Sequence, residues 1–235
     1  MAKRRPTKED PAPRKQATRD ETDGTVKVSK GFHIDFLTPS QKLAWAAFQT
    51  HDLLFLLGPA GTGKSHLATA FGISEIINKT KKRLILTRPI VESGESLGFL
   101  PGTFDEKINP YMMPLFDCID TICGSEGRQA ELVKAAIELV PIAYMRGRTF
   151  NDAVFILDEA QNCSRQQLKL AITRLGKNSK MIITGDPDQS DLPGEVALND
   201  IVPKIRTISG IGVLQFKENS IVRHPLIAKI LAKLT

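Results

Sequence analysis

Residues 53–72 read LLFLLGPAGTGKSHLATAFG, and this stretch constrains the fold more than any other in the chain. A short apolar run ends in Gly58, and Gly58-x-x-x-x-Gly63-Lys64-Ser65 then opens a segment with helical patterning. Strand, glycine loop and helix in that order form a Walker A loop. Its glycines let backbone amides turn toward phosphate, and the helix N-terminus adds its dipole. Lys64 is placed to reach β and γ oxygens and Ser65 to ligate magnesium, while Pro59, Ala60, Gly61, Thr62 and His66 complete the cradle.

A loop of this kind stands at the end of a strand in a parallel sheet, and the chain supplies more such strands. Apolar runs recur at RLILT (83–87), VFILD (154–158), KMIIT (180–184) and GVLQF (212–216). Between them lie segments with helical spacing at 64–77, 128–138, 164–175 and 224–234. Continuous apolar runs alternating with amphipathic helices predict an α/β fold, a mainly parallel sheet sandwiched by helices. Ahead of the loop, LTPSQKLAWAAFQ predicts a helix over 39–50, with Thr38 as N-cap, Pro39 at the first helical position and Gln41 three residues after the cap.

Two further motifs sit at strand ends. In VFILDEAQN, four apolar residues precede Asp158, a Walker B carboxylate placed to hold magnesium, and Glu159 beside it can polarise a water for attack on a γ-phosphate. In MIITGDPDQS, a buried strand runs into Thr184, Gly185, Asp186 and Gln189. A polar group on the strand next to Walker B can sense the γ-phosphate, and Gln189 can orient the water. The expected ligands are ATP and Mg2+. A guanine-reading Asn-Lys-x-Asp is absent, since Asn78-Lys79-Thr80-Lys81 ends in the wrong charge. A metabolite kinase would use the Walker A loop but accounts for neither Glu159 nor the GDPDQ turn.

Charge is uneven. The formal net charge is +6, and residues 1–30 hold nine Lys/Arg against five Asp/Glu, with three prolines. With almost no large apolar residue before Val26, this arm is expected to stay disordered. The expected division is therefore a basic arm over 1–31 and one ATPase domain over 32–235, with structure beginning near Phe32. No apolar run approaches the roughly 20 residues of a membrane span, and the basic N-terminus has no apolar segment behind it, so a cytoplasmic protein without membrane contact is expected. Cys118, Cys123 and Cys163 lack paired ligand spacing and are read as reduced thiols. Residues 88–122, interrupted by prolines and glycines and carrying Phe99, Phe104, Tyr111 and Phe116, are read as a long irregular connection that contacts substrate.

GPAGTGKS, DEAQN and TGDPDQ, in this order, resemble the first motor domain of superfamily 1 helicases. Together with TRPIVESGESLGFLPG, PIAYMRGRTFND and IVRHP, residues 35–232 resemble the PhoH family, phosphate-starvation-inducible P-loop ATPases of bacteria and their phages. The resemblance implies a RecA-like core that binds and hydrolyses ATP, with single-stranded nucleic acid, RNA rather than DNA, as the second ligand. Gln41 matches the adenine-reading glutamine of the helicase relatives, a role compatible with capping. The alternative is an ATP-driven switch or scaffold that regulates a partner nuclease without unwinding.

Fast hydrolysis in this class needs a cation opposite the Walker A loop, worth roughly 10³–10⁵ in rate. The helicases bring it from a second motor domain, for which this length leaves no room, so it is expected from the same core or a neighbouring copy. A head-to-tail ring would supply it in trans. A homo-oligomer, a hexamer by RecA-like analogy, is the expectation. Arg146, Arg148, Arg174 and Arg223 are the candidates, with Arg223 first because ENSIVRHP is similar to the helicase segment whose arginine approaches the γ-phosphate. Arg88, after the strand at 83–87, is assigned to the nucleic-acid path.

Overall fold

A computed structural model describes residues 24–29, 32–90, 104–124, 126–190, 196–217, 220 and 222. At its centre is a sheet of six strands: β3 (Leu53–Leu57), β4 (Arg83–Thr87), β5 (Ile137–Leu139), β6 (Ala153–Leu157), β7 (Lys180–Gly185) and β8 (Ile211–Gln215). Their order across the sheet is β5-β4-β6-β7-β3-β8, and every pairing is parallel. A separate antiparallel hairpin, β1 (Thr25–Ser29) with β2 (Phe32–Asp35), precedes it. The α/β architecture with a mainly parallel sheet is as the apolar runs predict.

Each central strand is buried on both faces, which is why it reads as an unbroken apolar run. Leu54 and Leu56 of β3 face one layer and Leu53, Phe55 and Leu57 the other. The first layer holds α1 (Pro39–Thr50), α2 (Lys64–Ile77), α3 (Phe104–Cys123) and α4 (Arg128–Ala136), packed through Phe48, Phe71, Leu115 and Val133. The second holds α5 (Arg165–Ile172) and α6 (Ala197–Ile205), packed through Leu168, Ala171, Leu198 and Val202. Helix α1 begins as the capping pattern predicts, with Thr38 Oγ1 accepting from the Gln41 amide at 3.4 Å. Its C-terminal end is closed by Lys180, whose Nζ donates to the carbonyls of Phe48 at 2.7 Å and His51 at 3.0 Å and lies 5.0 Å from the Phe48 ring centre. Phe48 stacks in turn on Phe71 of α2 at 5.2 Å between centroids.

Three local expectations need correction. Residues 104–123, read as part of an irregular connection, form the 20-residue helix α3 despite Pro110 and Pro114. Both prolines are exposed, four residues apart on one side, while Met112, Leu115 and Ile119 are buried on the other. Carbonyls released on a solvent face are satisfied by water, so the apolar stripe outweighs the lost bonds. The helix expected over 128–138 stops at Ala136, and Ile137–Leu139 becomes edge strand β5, in register with Leu84–Leu86 of β4. Structure also begins before Phe32: Val26 and Val28 of β1, assigned above to the arm, pack against the first layer. Residues 1–23 and the helix expected over 224–234 lie outside the described residues, as does 91–103.

Candidate functional site

The C-terminal ends of β3, β6 and β7 converge because β7 lies between the other two in the sheet. That arrangement brings three sequence-distant motifs to one edge, where ligands of open α/β sheets bind. The loop leaving β3 is shaped by its glycines. Gly58 takes φ 131, and a Cβ there would meet the Phe216 carbonyl oxygen at 2.4 Å. Gly63 (φ 84) is the N-cap of α2 and gives no side-chain cap, which suits a helix N-terminus that receives an anion. Lys64 Nζ donates to the carbonyls of Gly58 at 2.6 Å and Pro59 at 2.9 Å, and Thr62 Oγ1 donates to the Pro59 carbonyl at 3.0 Å. Ala60, Gly61 and His66 complete this rim; Ala60 and His66 are exposed.

At the centre lies Asp158, only 2% exposed. Its Oδ1 accepts from Ser65 Oγ at 2.6 Å and from Thr184 Oγ1. A buried carboxylate flanked by two hydroxyls is an all-oxygen donor set, the kind that suits magnesium rather than a softer metal. Two residues past Thr184, Asp186 Oδ1 accepts from the Asp188 amide at 3.1 Å, while Oδ2 is buried without a hydrogen-bond partner among the described residues. Such an oxygen fits a metal-bound water.

Glu159 follows Asp158 in a left-handed conformation, φ 55, which turns its side chain away from the strand direction. Its carboxylate is held from two sides. Gln161 Nε2 donates to Oε2, and an Arg88 nitrogen stands 3.5 Å from Oε1. Gln161 Oε1 in turn accepts from the Asp186 amide at 3.1 Å, so Gln161 spans the β6 and β7 ends. Sequence reasoning assigned no role to Gln161, although it stands inside the quoted DEAQN motif. Gln189, at the mouth of the same turn, is exposed, and its amide donates to the Asp186 carbonyl at 3.2 Å.

Gln41 reaches the loop from α1. Its Oε1 accepts from the Leu37 amide at 2.7 Å and its Nε2 donates to the Thr62 carbonyl at 3.2 Å. The amide thus ties the α1 entry to the glycine loop, beside its expected adenine contact. Two further backbone contacts hold the loop: the Phe216 amide donates to Leu57 O at 2.7 Å and the Val222 amide to Gly61 O at 2.8 Å. These two contacts carried no signal in the sequence beyond the position of Phe216 and Val222 before Arg223.

The candidate arginines separate. Arg174 spends its guanidinium on the carbonyls of Leu170 at 3.2 Å and Arg148 at 2.8 Å, fastening the end of α5. Arg148 pairs with Glu138 and lies 4.9 Å from the Phe150 ring centre. Arg146 is exposed. Arg223, like Phe99 and the Phe104 side chain, lies outside the described residues; Phe116 packs against the first layer instead of presenting a stacking surface. Burial, and then the charges of Asp158 and Asp117, push the Cys118 thiol of α3 up.

The model of the PhoH-like protein family matches residues 33–235. The chain belongs to the PhoH family. A PhoH-like protein of Bacillus subtilis is 47% identical over 208 residues, covering 88% of this chain and 65% of that protein. Protein PhoH of Escherichia coli K12 is 39% identical over 191 residues, covering 79% of this chain and 53% of the relative. This PhoH-family chain therefore spans between half and two-thirds of the length of these relatives. Among solved structures, the large terminase of a thermophilic bacteriophage in complex with ADP matches 84% of the chain and 50% of the terminase, with a TM-score of 0.56 at 9% identity. The HK97 bacteriophage large terminase matches 77% of the chain and 39% of its own, with a TM-score of 0.51 at 13% identity. At such identities the likeness is one of fold, the RecA-like fold of P-loop NTPases. Among the described residues no helix is long and apolar enough to cross a membrane.

Proposed function

We propose that this PhoH-family chain is a magnesium-dependent ATPase whose cycle acts on single-stranded nucleic acid, RNA in preference to DNA, in a helicase-like manner. The observation that carries the ATPase reading is the contact of Ser65 and Thr184 with one oxygen of buried Asp158, next to Glu159. Ser65 and Asp158 are the residues that would hold Mg2+, which when bound neutralises charge on the β and γ oxygens. Lys64 would exchange its loop carbonyls for those oxygens. Glu159 accepts a proton from the attacking water as its oxygen bonds to the γ-phosphorus, and the bond from that phosphorus to the β,γ-bridging oxygen breaks to leave ADP and phosphate. Gln161 holds the Glu159 carboxylate, Gln189 orients the water, and Gln41 selects adenine.

The nucleic-acid part rests on family membership and on the partly exposed Arg88 at the end of β4, beside Glu159. The cation that hastens hydrolysis would come from a neighbouring copy in a homo-oligomeric, hexameric ring in the cytoplasm, through Arg223 or exposed Arg146. The test is phosphate release measured with and without single-stranded RNA and DNA, with particle mass determined in parallel. Stimulation by RNA above DNA in a hexamer supports the reading; a monomer indifferent to both strands contradicts it.

A further inference from the structure

Arg88 occupies a place that links two ligands. It follows Thr87 at the end of β4, the neighbour of β6, and the Asp158 amide donates to the Thr87 carbonyl at 2.9 Å. From there its guanidinium reaches Glu159, with a nitrogen 3.5 Å from Oε1. Both side chains are partly open to solvent, 25% exposed for Arg88 and 35% for Glu159. The pair sits at the mouth of the site.

We infer that Arg88 is a phosphodiester-binding residue that also restrains Glu159, so that a strand phosphate arriving at Arg88 releases the carboxylate for work on water. This rests on the nucleic-acid reading given above and specifies how that ligand is coupled to hydrolysis. The physical basis is competition for one guanidinium. A partly exposed ion pair at 3.5 Å is weak, whereas phosphate accepts two parallel, charge-assisted hydrogen bonds from arginine. The stronger anion takes the fork. While paired with Arg88, Glu159 keeps Oε1 facing the guanidinium instead of a water. When Arg88 turns to phosphate, Gln161 still grips Oε2 and is itself fixed to the Asp186 amide, so the carboxylate stays aimed at the site with Oε1 available. The strained backbone of Glu159, at φ 55, fits a residue kept in place by such tethers.

Arg88 is on this account a positioning residue for hydrolysis and a contact residue for the strand. Steady-state ATPase assays on the full chain, titrated with single-stranded RNA and DNA oligonucleotides, test it with Arg88→Ala and Arg88→Lys. Arg88→Ala should raise the strand-free kcat by roughly two- to fivefold, the strength of a partly exposed pair, without changing the KM for ATP, and should lose strand stimulation. Arg88→Lys, which keeps the cation without the fork, should recover part of both the restraint and the stimulation. Thermal unfolding of each variant at the wild-type midpoint shows that the effect is local. If wild type is stimulated and Arg88→Ala is stimulated equally from an unraised basal rate, the inference is overturned and the nucleic-acid reading survives. If no strand stimulates wild type, that reading fails and the coupling fails with it.

Discussion

Ser65 Oγ donates a 2.6 Å hydrogen bond to Oδ1 of Asp158, joining residues 93 positions apart in the chain. One comes from the first turn of α2, which follows the loop after β3, and the other from the end of β6, with β7 and its Thr184 between β3 and β6 in the sheet. The contact pre-forms the pair expected to hold magnesium. Asp158→Asn should therefore lower Mg2+-dependent hydrolysis by about 10²-fold or more while leaving Mg2+-free nucleotide binding little changed. ATPase rates against Mg2+ concentration, beside a fluorescent-nucleotide binding curve in a chelator, read the two effects separately.

Glu159→Gln keeps the shape of the side chain and removes its basicity. A general base contributes about 10²–10⁴ in rate, so kcat should fall within that range with little change in KM. Gln161→Ala should give a smaller loss, also in kcat, because it frees the carboxylate that Gln161 holds without removing it. Equal losses in both variants would indicate that Gln161 touches the reacting atoms.

Gln41 is 4% exposed and hydrogen-bonds both the Leu37 amide and the Thr62 carbonyl. Removing it leaves the buried Thr62 carbonyl unpaired and frees the amide of exposed Leu37, a cost of about 1–3 kcal/mol, mostly from the carbonyl. Gln41→Ala should lower the midpoint of chemical denaturation accordingly. It should also raise the KM for ATP more than that for GTP, which a side-by-side comparison of the two nucleotides detects.

Cys163 is 2% exposed, and burial pushes its thiol from 9.0 up to about 12. In the native protein it should resist alkylation at pH 8 until the chain unfolds. The unfolded chain loses the thiol proton above pH 9 while the folded chain keeps it until near pH 12, so the unfolded state binds fewer protons in that window. Stability then falls as pH rises, by about 1 kcal/mol per pH unit from this group. Urea unfolding of wild type and Cys163→Ala at pH 8 and pH 10.5 should show a shallower alkaline loss in the variant.

Much of the fold was legible because its signals are local. Helices α1 and α2 start and stop where the Thr38 cap and the glycine loop place them, and the central strands stand out as unbroken apolar runs. Where reading failed, local and tertiary preferences disagreed. Pro110 and Pro114 are helix breakers in isolation, yet α3 forms because Met112, Leu115 and Ile119 need burial against the first layer. Ile137–Leu139 continue a helical pattern, yet the open edge of β4 captures them as β5. The Walker motifs named Lys64, Ser65, Asp158 and Glu159 directly, since their chemistry depends on spacing. Gln161 and the Arg88 contact were not legible, because both depend on β4, β6 and β7 being neighbours in a sheet whose order does not follow the chain.

The central claim is that this site hydrolyses ATP, and phosphate release by purified protein in the presence of Mg2+ tests it most directly. Wild type should release free phosphate from ATP, and Lys64→Ala and Glu159→Gln, folded to the same thermal midpoint, should release it more slowly by about 10²-fold or more. Absence of phosphate release by wild type, or undiminished release by Lys64→Ala, would contradict it.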